Sequence, residues 1–493
     1  MGTGGEIPEV PGRPDERDRP RVGVDEWVAN VEDRREQRAG IAGLARRIDD
    51  LVPPWALLVL FAVVAASLPL WMGRGDLFAY GIFTLIYVLL GLGLNVVVGY
   101  AGLLDLGYVA LFGFGAYFYA LLSSEQYGIH WPSAVSIPVV VVSTALLGLV
   151  LGIPSRRLLG DYLAIVTLFF GQAFVVFVNA ANPTVRGKGL TGGPNGIADV
   201  DPNDLFGYEL TTRRQQYWFI LAVVLLVLIG LHFLSESRTG RAWRALREDP
   251  LAAEAMSIPV NRLKLMAFAF GAGIAGLTGC MFAAVLTAVT SGNFGLPILI
   301  TIYAVVILGG IGSLTGVVIG AIVINVSFQF LAPENPQDNA RILFYAVIVL
   351  LLVLSMRPWW RLAAVLGGTL VFGLVAHTLA GAISSSWTAG AVVEGGRFAG
   401  VISDWVIIPA GHDHFANIAY IALVVSILAL TRVRGWWRTA MLVPTVYLAA
   451  IVWETSFVEE PAVARWILFG TLLVFLMTVR PQGLLGTPRV EIV

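Results

Sequence analysis

Residues 265–333 contain no Asp, Glu, Lys or Arg. As a single helix this run would be about 100 Å long, against roughly 30 Å of bilayer hydrocarbon. It must therefore fold as several apolar segments, and Pro297 and the cluster Gly309, Gly310 and Gly312 mark its breaks. The rest of the chain agrees. Of 493 residues, 57% are apolar and 13% charged, about half the charge of a soluble domain, and the mean hydropathy is +0.78. These values exclude an ordinary cytosolic enzyme, a secreted disulfide scaffold and a disordered regulator. The lone cysteine, Cys280, allows no internal disulfide, and a net charge of −1 leaves no footprint for nucleic acid.

Charge is concentrated at one end. Residues 1–52 hold 9 basic and 12 acidic side chains behind a Gly/Pro-rich start, which reads as a cytosolic tail, partly disordered, with a charged helix at 25–50. No basic n-region followed by an apolar h-region marks a signal peptide. Beyond Pro53 the apolar runs predict spans near 54–72, 77–98, 103–122, 133–153, 162–180, 217–234, 265–289, 296–310, 314–331 and 341–356. Four more follow near 362–383, 416–431, 439–453 and 464–480. The expected fold is all-α, a polytopic membrane bundle of about ten core segments in 53–357. About four extra spans lie in 358–493. Segments 103–122 and 296–310 are short enough to be re-entrant. Basic residues at Arg156 and Arg157, Arg238 to Lys264, Arg357 and Arg361, and Arg432 to Arg438 fall on one side in this scheme. The acidic groups Asp199, Asp201, Asp204 and Glu209, then Glu334 and Asp338, then Glu454, Glu459 and Glu460 fall on the other. The positive-inside rule then puts both termini in the cytosol. Arg186, Lys188, Arg213 and Arg214 are exceptions in a long outer loop.

Three local patterns stand out. In the loop 235–264, Asp249 followed by Pro250 is a helix start and Pro259 a stop. Leu251, Ala252, Ala255 and Met256 share a face at helical spacing, as either a membrane-surface segment or a docking helix for a cytosolic partner. The glycine-rich stretch 91–122 surrounds Asn95, Tyr108 and one carboxylate, Asp105. A carboxylate at that depth lines a pathway or caps a helix beside a glycine break. Gly312, Gly316 and Gly320 form small-xxx-small steps that predict close helix contact. No G-x-x-x-x-G-K-[ST] phosphate loop, H-E-x-x-H or G-x-S-x-G elbow occurs. His412, Asp413 and His414 adjoin but do not make a metal cluster, and no metal or cofactor is expected on the chain.

Motifs in a fixed order cover residues 80–357. They are Leu94-Asn-Val-Val-Val-Gly-Tyr-Ala-Gly-Leu-Leu-Asp-Leu-Gly-Tyr-Val-Ala110, Gly160-Asp-Tyr-Leu-Ala-Ile-Val-Thr-Leu168 and Thr191-Gly-Gly-Pro-Asn-Gly-Ile197. Gly240-Arg-Ala-Trp-Arg-Ala-Leu-Arg-Glu-Asp249 and Val306-Ile-Leu-Gly-Gly-Ile-Gly-Ser-Leu314 follow. In these the chain resembles the LivM-type permease subunits of branched-chain amino-acid ABC importers. The resemblance implies a second, LivH-like permease subunit that helps enclose the pathway and an extracytoplasmic substrate-binding protein. It also implies two cytosolic ATPase subunits, carrying the ATP and Mg, docked around Arg247, Glu248, Asp249, Glu254 and Ala255. Asn95, Asp105, Tyr108 and Thr167 are the candidate pathway residues, and ATP hydrolysis on the partners would drive alternating access.

The chain departs from the family pattern at Gln172, where Glu is usual, and at Ser257, where Gly is common. The family's terminal Arg-Pro-Gln-Gly-Leu-Leu stands at Arg480–Leu485, well after a remnant at Arg357-Pro358. Rival readings are a urea or short-amide ABC permease and an ion-coupled secondary carrier, which would need paired intramembrane charges. Two lysines against 30 arginines fit a high-GC prokaryote, and hence a multi-pass protein of the prokaryotic inner membrane.

Overall fold

In the computed structural model the described residues are 54–457, together with Gly470 and Gly483. Short gaps fall at 126–127, 155–160, 181–183, 186–187, 206, 331–336, 356–358, 391–398, 411–414 and 434. The tail 1–52, the His412–His414 run, the span at 464–480 apart from Gly470 and the terminal motif apart from Gly483 lie outside the described residues. The chain divides into residues 1–65 and 66–493, and all contacts below lie within the second unit.

The chain is helical. Its first half comprises α1 (Pro54–Trp71), α2 (Arg74–Tyr100), α3 (Tyr108–Leu122), α4 (Ser133–Gly152), α5 (Asp161–Ala180) and α6 (Arg213–Glu236). Then come α7 (Arg238–Glu248), α8 (Pro250–Ala255), α9 (Val260–Leu286), α10 (Leu296–Gly309), α11 (Leu314–Phe330) and α12 (Gln337–Ser355). The described part closes with α13 (Trp359–Ile383), α14 (Ala399–Ser403), α15 (Phe415–Arg432) and α16 (Trp436–Val452). Every span expected up to residue 453 coincides with one of these helices. Among the described residues, seven helices are long and apolar enough to cross a membrane.

The two segments singled out as short are short. With 15 and 14 residues, α3 and α10 reach about 21–23 Å, less than the roughly 30 Å of a hydrocarbon core. Each follows irregular chain, 101–107 before α3 and a 3₁₀ turn at Ser291–Phe294 before α10. Asp105 thus lies in the approach to α3, not inside a span. Helix α2 carries two π segments, Leu77–Ile82 and Asn95–Tyr100, a local widening often found at functional sites.

Helix α9 is central, packed against α2, α3 and α4, while α10 and α11 pair with each other and with α2. Small residues permit these approaches. A Cβ on Gly115 would stand 2.5 Å from the Gly276 Cα, and one on Gly279 2.5 Å from the Ala116 nitrogen. Gly316 and Gly320 likewise face the backbone of Gly309 and Val305 on α10, so their helix contact is within this chain. Gly312 is different: with φ of 89° it forms the turn between α10 and α11, outside the helix face that its spacing suggested. A ring cluster of Phe112, Tyr117, Phe174, Phe282 and Phe294, mostly edge to face, fills the space beside α3.

At one end the Thr191–Ile197 motif is tied down from several sides. Ile197–Ala198 pairs antiparallel with Ala288–Val289, Thr191 Oγ1 donates to the Val178 carbonyl at 2.8 Å, and Ser291 Oγ donates to Asn179 Oδ1 at 2.7 Å. His130 Nδ1 lies 2.7 Å from Asp201 Oδ2, and this hydrogen bond holds the imidazole pKa above its ordinary value. One exception to the charge rule has a local explanation: the Arg213 guanidinium donates to the Val285 carbonyl at 2.9 Å and Gln216 Oε1 at 3.0 Å. It also lies 4.4 Å from the centroid of the Phe78 ring. A cation so occupied reports packing rather than topology.

The later helices pack against α12. Leu352 clusters with Leu362 and Val365 of α13. Phe344 stacks on Trp453 with centroids 4.2 Å apart. Beside that stack Arg341 Nε donates to Glu454 Oε2 at 3.0 Å, with both residues nearly fully buried.

Candidate functional site

Two features stand near each other, an exposed helix pair and a buried polar cluster. The helix pair is α7 and α8. Ser237 Oγ accepts the Gly240 N–H at 3.2 Å and starts α7. The helix is anchored by a thin stripe of Gly240, Trp243 and Leu246, all buried. The Trp243 indole donates to the Leu263 carbonyl at 2.9 Å, fixing α7 to the start of α9.

Asp249 then caps α8 as its sequence predicts, accepting from Leu251 N at 2.8 Å and Ala252 N at 3.1 Å. The apolar face of α8 is turned away from the rest of the chain. Ala253 is the buried residue, and Leu251, Ala252, Ala255 and Met256 point outward, Leu251 and Met256 each 78% exposed. Glu248 and Glu254 are exposed beside them.

The chain leaves α8 through Ser257 at φ 62°, a left-handed conformation that penalises any residue with a Cβ. Ser257→Gly is therefore expected to raise stability by about 0.5–1 kcal/mol, measured as the unfolding midpoint in detergent. An unchanged or lower midpoint would refute this account of the turn.

The polar cluster lies behind the pair. Asn95 is wholly buried at the start of the second π segment of α2, and its Oδ1 accepts the Gly312 N–H at 2.8 Å. Asp105 Oδ1 accepts the Gly107 N–H at 2.9 Å, in the turn just before α3. Thr167 Oγ1 of α5 accepts the Leu106 N–H at 2.9 Å, and Tyr303 Oη of α10 donates to the Asp105 carbonyl at 2.7 Å. The structure thus gathers Asp105 and Thr167 around one loop and adds Tyr303, which no sequence pattern distinguished. Tyr108 stands behind Gly93. Three polar atoms here, Asn95 Nδ2, Asp105 Oδ2 and Tyr108 Oη, are buried and have no hydrogen-bond partner among the described residues. Buried groups of this kind are costly and are characteristic of a wet interior or a binding path. Gln172, by contrast, is exposed on α5, away from this loop's hydrogen bonds. Among the described residues no group of His, Cys, Asp and Glu is arranged to hold a metal ion.

Arg247 joins the two features. Its Nη1 donates to the Gly99 carbonyl at 2.6 Å, so this side chain turns into the bundle while its neighbours Glu248 and Asp249 face outward.

Apolar helices around a buried polar loop, with an exposed helix pair beside it, are an arrangement that fits a membrane transport permease. The family model for the permease component of branched-chain amino acid transport systems matches residues 77–352, and the chain belongs to that family. It is 36% identical to the high-affinity branched-chain amino acid transport system permease protein LivM of Escherichia coli (strain K12), over 319 residues covering 60% of this chain and 72% of that protein. The Salmonella typhimurium LivM is 34% identical over the same shares. The LivH permease protein of Salmonella typhimurium is 26% identical over 199 residues, 40% of this chain and 62% of that protein. No solved structure matches the chain significantly.

Proposed function

We propose that the chain is the LivM-like membrane subunit of a binding-protein-dependent ABC importer for branched-chain amino acids. A LivH-like permease completes the pathway, and an extracytoplasmic binding protein delivers substrate. Two cytosolic ATPases carry ATP and Mg and drive alternating access. In this reading the protein lies in a prokaryotic inner membrane with α7 and α8 in the cytosol. Residues 53–357 form the permease core, and residues 358–493 add a further helical region. The single observation that carries the proposal is α8: a capped, fixed helix whose apolar Leu251 and Met256 are each 78% exposed. Such a face needs a partner surface. A secondary carrier would have no use for it. The buried pair Arg341 and Glu454 does not favour a carrier either, because each charge bonds the other at a junction between helices.

The test is uptake of leucine into liposomes holding the complete complex, with urea as competitor. Uptake is expected to require ATP on the side of α7 and α8 and to resist urea. Leu251→Asp and Glu254→Ala should each lower it about ten-fold or more by releasing the ATPases. Leucine uptake by this chain alone, driven by an ion gradient, would refute the reading, and competition by urea would move the substrate class to short amides.

A further inference from the structure

The side chain of Arg247 lies in a cradle made by three glycines from two separate stretches of chain. Its Nη1 donates to the Gly99 carbonyl at 2.6 Å. A Cβ on Gly102 would stand 3.0 Å from its Cγ, and a Cβ on Gly312 2.6 Å from its Nη1. Gly102 and Gly312 have φ of 69° and 89°, so the backbone that closes the cradle suits glycine twice over. Gly312 in turn donates its N–H to Asn95 Oδ1 at 2.8 Å, and Asn95 belongs to the buried cluster. The same turn between α10 and α11 receives Gly483, where a Cβ would stand 2.6 Å from the Gly310 Cα. One turn therefore meets the exposed helix pair through Arg247, the membrane interior through Asn95, and a distant segment through Gly483.

We infer that Arg247 is a positioning residue that couples α7 to the α10–α11 turn and through it to Asn95, and that it is not part of the surface that holds the ATPases. The inference rests on the proposed function, because it presumes that force arrives at α7 and α8. Docking and transmission are divided between neighbouring residues: Leu251 and Met256 face outward, and Arg247 faces inward. A guanidinium suits the task because its planar donors hold orientation as well as position. When α7 shifts, the Arg247 bond carries the Gly99 carbonyl with it, and contact at Gly312 moves the turn that holds Asn95 Oδ1.

The test uses the complete complex of this chain with its partner permease, ATPases and binding protein in proteoliposomes. The readouts are the ATPase subunits retained and the leucine taken up per ATP hydrolysed. Arg247→Met keeps the aliphatic stem in the cradle and removes the donors. It is expected to retain the ATPases at the wild-type ratio and to lower uptake per ATP about ten-fold, the order of a lost charged hydrogen bond. Arg247→Lys, which keeps a donor for the Gly99 carbonyl, should restore that ratio to within about three-fold. If Arg247→Met prevents the permease pair from assembling, the same ratio is read on Gly312→Ala, and an uncoupled complex is again the expected result. Loss of the ATPases from an intact Arg247→Met permease pair would make Arg247 a docking residue and overturn the inference. An unchanged ratio of uptake to ATP would overturn it equally. Failure of the wild-type complex to show ATP-driven leucine uptake is a separate result, and it would remove the proposed function itself.

Discussion

Glu454→Ala is expected to cost about 3–5 kcal/mol of stability, and Arg341→Leu alone a similar amount. Arg341 is 1% exposed and Glu454 2%, and each charge meets the other at 3.0 Å. Tyr345 Oη adds a longer contact to Glu454 Oε1 at 3.5 Å. Removing either partner strands the other charge in a packed, water-poor junction. Removing both together with apolar replacements of similar size, Arg341→Met with Glu454→Leu, should leave stability within about 1 kcal/mol of the starting value. Thermal unfolding of the three variants in lipid nanodiscs gives the comparison. Single variants that melt like the parent would show that water reaches this junction and that the pair is not a clamp.

The second large effect concerns the crossing of α3 and α9. A methyl on Gly279 would stand 2.5 Å from the Ala116 nitrogen and 2.6 Å from the Phe112 oxygen. Both are backbone atoms, so neither can yield by changing a rotamer, and the helices themselves must separate. Gly279→Ala is expected to lower stability by about 1–3 kcal/mol. Gly230→Ala on α6 is the control, because nothing lies within 4 Å of its added Cβ. There the better helix propensity should add up to about 1 kcal/mol. Equal melting of the two variants would mean that the α3–α9 contact is looser than its geometry indicates.

The helices were legible because lipid leaves a long, continuous signal. Apolar runs located every described span, and Asp249 with Pro250 located the start of α8 to the residue. What escaped the sequence depends on phase or on distant partners. Helix α7 was hidden because its anchors Gly240, Trp243 and Leu246 recur every three residues amid four arginines, too thin a stripe for hydropathy to register. The apolar face of α8 was legible from its spacing, but that Ala253 alone would be buried was not. Arg341 and Glu454 sit near helix ends, where a charge reads as a span boundary, and their partnership crosses 113 residues of chain. Within the polar cluster, the motifs drew attention to Asn95, Asp105, Tyr108 and Thr167. They could not show that Thr167 takes the Leu106 N–H, that Gly312 donates to Asn95 or that Tyr303 closes over the loop, since each is a tertiary contact.

The seat of Gly483 against Gly310 has a consequence in time. A ribosome makes the α10–α11 turn first and reaches its last described neighbour roughly 170 residues later, a delay of about 10–35 s at ordinary elongation rates. Throughout that interval the turn that also borders Arg247 and Asn95 is incomplete. The permease region is thus finished by a segment synthesised after its own helices have entered the membrane, and a nascent chain cannot assume its final arrangement at that turn before this segment arrives.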